Sequence, residues 1–185
     1  MDKDYTSAIK EIIESKYLTS FQFEPLNDLE TWGFVVGCNE IFTLIHYFNR
    51  NFYELDGYSV FFNENVSEYW VYTPDEDYLE SKYVNVKDIK PKFIPEINLN
   101  SLPELLLSAS QNFPLVTIYR DKLAEKNSIV GKVTAVKEKT FEFLAIRTDA
   151  KWKEVSSRIR LADVTRIDFG DRYQEVLTTV ADYEK

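Results

Sequence analysis

The sequence predicts a mainly β chain of two small antiparallel β-barrels in tandem, each preceded by a helix. Three observations carry that expectation. Between Gly131 and Leu177 apolar and polar residues alternate in short runs, as in Phe141-Glu142-Phe143 and Arg158-Ile159-Arg160-Leu161, which places every second side chain on one face of a strand. A weaker copy of the same pattern occurs earlier, and segments with helical spacing stand upstream of both copies.

The second copy is the clearer one. Val133 to Val136, Thr140 to Ile146 and Arg158 to Phe169 read as strands joined by polar turns, with a slip at Ala162-Asp163. Gly131 stands where a strand must curl sharply. The end of the chain, with Tyr173, Val176, Leu177 and Val180, is spaced as a short capping helix. In the first copy Gly33-Phe34-Val35-Val36 matches Gly131-Lys132-Val133-Thr134, and the run from Phe42 to Tyr47 matches the run from Phe141 to Ile146. Val60-Phe61-Phe62 and the segment from Val66 to Tyr69 match Ile159-Arg160-Leu161 and the segment from Val164 to Ile167. The leading helices are residues 1–18, with Ile9, Ile12 and Ile13 on one stripe, and a segment with Leu102, Leu105, Leu106 and Ala109. Ser101 is the expected N-cap of the second helix, with Pro103 and Glu104 in its first turn.

Connections follow from turn chemistry. Gln22 to Leu29 reads as an approach loop, Asn49-Arg50-Asn51 and Asp56-Gly57 each as a hairpin turn or loop, and Thr73 to Leu79 as the start of a helical closure. Residues 1–82 form the first helix-plus-barrel domain, residues 83–100 a docked linker with Phe93 and Ile94 seeking burial, and residues 101–185 the second domain. Asp121 to Ser128 reads as a polar loop.

Composition narrows the function. The chain of 185 residues has a formal net charge of −9, which repels a phosphate backbone unless basic residues gather on one face. The densest basic group, Arg147, Lys151, Lys153, Arg158 and Arg160, is interleaved with Asp149 and Glu154, so nucleic acid is a disfavoured partner and a basic protein a compatible one. Cys38 is the single cysteine, which excludes an internal disulfide and suits the cytoplasm. The first residues lack a basic segment followed by an apolar run, and no stretch approaches the length of a membrane span, so neither a signal peptide nor a membrane association is expected.

Candidate chemistry is sparse. His46, the only histidine, lies in an apolar strand with no partner motif, and Cys38 reads as a small buried residue. Asp75, Glu76 and Asp77 lack the ligand spacing of a calcium loop and read instead as charges at a helix start. With five glycines, the chain has neither a phosphate loop nor a dinucleotide fingerprint. The expectation is therefore no enzyme activity, no catalytic residue, no cofactor and no metal.

The thirteen Phe, twelve Tyr and three Trp are more telling. Trp70, Tyr72, Tyr58, Tyr53 and Tyr47 fall in the first copy, where alternation cannot bury every aromatic. They suit either a face that holds a peptide or a packed seam between the two modules. Trp70 and Tyr72 share one face of their strand.

The segment from Ile159 to Ile167 resembles the second motif of Sm-like barrels. It is more similar to a group of uncharacterised bacterial proteins with SH3-like barrels, whose copies end in an aspartate-isoleucine-x-x-isoleucine strand and a tyrosine-bearing helix; here these are Asp163-Val164-Thr165-Arg166-Ile167 and Tyr173. The resemblance implies tandem SH3-like or Sm-like barrels in a bacterial protein. Sm-like RNA binding needs a glycine after the arginine of that motif, where Leu161 follows Arg160, and the first-motif residues are also absent. A degenerate RNA binder is thus the alternative. The expected function is a non-enzymatic protein-binding or adaptor module, in its sharpest form an acidic immunity-type protein that masks a basic toxin.

Overall fold

A computed structural model of the chain describes residues 3–91, 96–123 and 128–183. The chain divides into two compact units, Met1–Phe93 and Ile94–Lys185. Phe93 and Ile94 of the expected linker, and residues 124–127 of the expected polar loop, lie outside the described residues. No helix among the described residues is long and apolar enough to cross a membrane.

The first unit begins with α1 (Lys3–Ser15), which shows Ile9 and Ile12 to the core at the spacing of one helical turn. Four strands follow, β1 (Leu18–Phe23), β2 (Asn27–Cys38), β3 (Phe42–Asn49) and β4 (Glu54–Phe62). A 3-10 turn at Asn63–Asn65 then leads to β5 (Glu68–Tyr72) and α2 (Leu79–Val86). All the ladders in this unit are antiparallel, and the strand order is β5-β1-β2-β3-β4. Alternation sorts the side chains onto two faces. Phe21, Phe23, Val35, Ile45 and Phe61 pack with Ile9 and Ile12 of α1, while Leu18, Trp32, Phe34, Phe48 and Tyr72 pack with Val84 of α2. Each face of this sheet therefore carries its own core beneath its own helix.

The second unit repeats the element order. Its elements are α3 (Leu102–Asn112), β6 (Val116–Tyr119), β7 (Ser128–Val136), β8 (Thr140–Ala145), β9 (Ser157–Arg160), a 3-10 turn at Leu161–Asp163, β10 (Arg166–Phe169) and α4 (Arg172–Tyr183). The strand order is β10-β6-β7-β8-β9, again antiparallel within the unit. Ser101 caps α3, its Oγ accepting from the Glu104 N–H, while the Glu104 carboxylate accepts from the Ser101 hydroxyl at 3.0 Å. Leu177 and Ala181 of α4 pack on Leu115, Ile146 and Ala150.

The expectation of two closed SH3-like or Sm-like barrels is overturned, although the chain is mainly β. Within each unit the five strands run in an open antiparallel order, and the two outermost strands do not pair with each other among the described residues. Alternation determines which side chains share a face, but it carries no information on whether the last strand returns to the first. The first unit's two separately covered cores show the difference, because a small closed barrel fills one interior.

Several local expectations are also corrected. Asp56-Gly57 is not a hairpin turn but a bulge within β4, where the register shifts between His46 and Phe48 and Gly57 takes φ 73°. The approach loop from Gln22 to Leu29 is cut to a short turn, since β1 runs to Phe23 and β2 starts at Asn27. The segment from Arg158 to Phe169 is two strands separated by a 3-10 turn. The helical closure after β5 begins at Leu79, later than Thr73.

Candidate functional site

β5 stands at the open end of the first unit's strand order and pairs only with β1 among the described residues. Its alternation gives it two different faces. Tyr69 and Val71 turn toward the α1 side, where Tyr5 meets Tyr69 edge-on at 5.7 Å. Trp70 and Tyr72 turn toward the α2 side. There they border a shallow groove of about 220 Å³ together with Glu30, Glu68 and Tyr78.

The two aromatics brought together here differ sharply in role. Tyr72 is 7% exposed, stacks on Trp32 at 4.3 Å and 23°, and meets Tyr78 edge-on at 5.0 Å. Its phenol lies 3.4 Å from the Ser20 hydroxyl, and burial raises its pKa above the usual value against the opposing effect of that hydrogen bond. Trp70 is 54% exposed. It is a large rigid indole held on a paired strand beside a stacked aromatic wall, with most of its apolar surface still in water.

A second depression adjoins the first through Glu30 and is lined by Trp32, Tyr47, Arg50, Tyr53 and Glu80. The Arg50 guanidinium lies 4.3 Å above the Trp32 ring and donates to the Glu80 carboxylate at 2.7 and 3.1 Å, with Glu30 at 3.4 Å. Burial works against the Arg50 charge, but the two carboxylates outweigh it and hold the group above its usual pKa. Tyr53 meets Tyr83 of α2 edge-on at 5.1 Å. Tyr58 lies apart from both depressions, stacked at 4.4 Å on His46.

Of the aromatics expected from sequence, Trp70 and Tyr72 therefore border one groove and Tyr47 and Tyr53 the next. Glu30, Arg50 and Glu80 were not anticipated. They come from three separate elements, and nothing in the local pattern of any one of them marks it.

The charge is unevenly placed. Residues 1–93 hold seventeen Asp and Glu against eight Lys and Arg, whereas residues 94–185 hold fourteen of each, so the whole excess of −9 belongs to the first unit. In the second unit the densest basic group is largely paired: Arg147 with Asp149 at 3.0 Å, Arg158 with Glu142 at 3.0 Å, and Arg160 with Asp163 at 2.6 Å.

Cys38 is half-buried, and desolvation pushes its thiol above the usual pKa, with Lys10 opposing the shift. The thiol is thus protonated at neutral pH and a poor nucleophile. Alkylation of the folded protein by iodoacetamide should be slower at pH 7 than that of a free cysteine, with a rate still climbing above pH 9. A rate that levels off below pH 8 would contradict this environment. Asp77, expected at a helix start, instead lies ahead of α2 and pairs with Lys82, which holds its carboxyl below the usual value. Among the described residues no group of three His, Cys, Asp or Glu side chains could hold a metal ion. No family model, curated protein or solved structure matches the chain, so the geometry around β5 is what bears on function.

Proposed function

We propose that this is a non-enzymatic binding protein whose first unit engages a partner protein at the groove bordered by Trp70. The exposed indole of Trp70 carries the reading: tryptophan on a rigid element, next to a buried aromatic wall and rimmed by polar groups, is the composition of an interaction hot spot. The acidic first unit favours a basic partner, as an adaptor or as an immunity-type protein masking a basic toxin in the cytoplasm. Steering between opposite charges would speed such an encounter. The RNA-binding alternative finds less support, because the arginines that would meet phosphates are engaged by carboxylates.

Affinity capture from a lysate of the source cells tests the proposal, comparing the wild-type protein with Trp70→Ala and with Tyr183→Ala, an exposed aromatic of α4. A basic protein retained by wild type and Tyr183→Ala but lost by Trp70→Ala is the expected result. Equal retention by all three would sink the assignment of this groove.

A further inference from the structure

We infer that the partner is held by strand addition: an extended basic segment pairs its backbone with the open edge of β5 and lays alternate side chains into the Trp70 groove. This rests on the proposed protein-binding role and specifies its chemistry. An edge strand presents N–H and C=O groups with no protein partner, and pairing with an extended chain is the direct way to satisfy them. β5 has such an edge, with β1 as its only paired neighbour among the described residues.

The two faces of β5 decide where the incoming side chains go. On the α1 side Tyr5 meets Tyr69 edge-on at 5.7 Å, and Tyr69, 37% exposed, also reaches the rim of the groove. On the α2 side Trp70 offers an apolar shelf directly beside the edge, and Glu30 and Glu68 supply carboxylates in the same groove. Among the described residues no lysine or arginine lines that groove, and the one cation beside it, Arg50 of the adjoining depression, meets Glu30 at 3.4 Å and leaves Glu68 without an ion pair among those described. An added strand that places Lys or Arg at every second position on this side would set its aliphatic stems along the indole and its charges near Glu30 and Glu68. The surplus of acidic residues in the first unit favours the same occupant at longer range and disfavours a second copy of this chain, whose β5 would bring like charge.

The test uses a ten-residue peptide alternating Lys with Val and Thr, titrated against the full chain with NMR detection. Three comparisons accompany it: the same peptide with Glu in place of Lys, two versions N-methylated at one or the other set of alternate backbone amides, and the Glu30→Gln, Glu68→Gln variant. The expected results are binding of the Lys peptide with at least tenfold slower amide exchange within residues 68–72, and at least tenfold weaker binding for one methylated version. The Glu peptide and the double variant should also each bind at least tenfold more weakly. Equal binding by both methylated versions and the parent would overturn strand addition, as would no binding of the Lys peptide or a dimer of the free protein with β5 protected. Capture that depends on Trp70 but is accompanied by any of these failures would leave the binding role standing and remove only this mode.

Discussion

Gly131→Ala is expected to destabilise the second unit by about 4 kcal/mol, a large fraction of the stability of a domain of this size. A Cβ built at Gly131 would lie 2.2 Å from the Leu144 carbonyl oxygen, 2.7 Å from the Ala145 Cα and 2.8 Å from the Phe143 ring. Two of these are backbone atoms of the neighbouring β8 and cannot swing aside as a flexible side chain would. The requirement comes from how the strands run: Gly131 is paired with Val116 on one side and Ala145 on the other, and the β7–β8 register shifts between Val133 and Ala135. Gly33 occupies the same place in the first unit, paired with Thr19 and Tyr47 ahead of a shift between Val35 and Gly37, and a Cβ there would come within 2.5 Å of the His46 oxygen. Gly33→Ala should accordingly destabilise the first unit by a similar amount. Urea denaturation and limited proteolysis of each variant would check both, and a midpoint within experimental error of wild type would contradict the close approach.

Tyr72→Ala is expected to cost about 3 kcal/mol, whereas Trp70→Ala, two residues away on the same face, should change stability by less than about 1 kcal/mol. The asymmetry follows from burial. Tyr72 is enclosed between Trp32 and Tyr78, and removing it opens a cavity in the α2-side core. Trp70 leaves more than half its surface in water. Tyr72→Phe keeps the stack and loses only the contact with Ser20, at about 1 kcal/mol. Thermal melts of the three variants would decide the matter; equal losses for Trp70→Ala and Tyr72→Ala would mean that Trp70 is a packing residue and not a surface anchor. The consequence for binding work is that Trp70→Ala is the informative variant, since Tyr72→Ala would confound loss of a contact with loss of the fold.

Much of the strand content could be read from the sequence because β8 obeys period two, with Phe141 and Phe143 buried and their neighbours half-exposed. The same logic failed for register in the first unit. β3 is apolar on both faces, so its run from Phe42 to Phe48 carries no parity, and matching aromatic to aromatic set Phe42 against Phe141. The ladders instead set Phe42, paired with Phe62, against Thr140, paired with Arg160. Closure was beyond reach for a related reason, since it depends on a pairing between distant strands to which local alternation is blind. The bulge at Asp56-Gly57 and a tight turn use the same glycine with positive φ, and only the continuing ladder to Glu54 and Leu55 separates them. At the candidate site, the shared face of Trp70 and Tyr72 was legible from their spacing. Their opposite burial was not, because it is set by Trp32 and Tyr78, which arrive from other segments.

The most direct test of the central claim is the affinity of the captured partner for wild type, Trp70→Ala and Tyr183→Ala, measured side by side on proteins shown to be folded. Loss of a buried tryptophan anchor costs about 2 kcal/mol or more, so the expected result is at least tenfold weaker binding for Trp70→Ala and unchanged binding for Tyr183→Ala. Equal affinity across the three proteins would contradict the placement of the binding surface at β5.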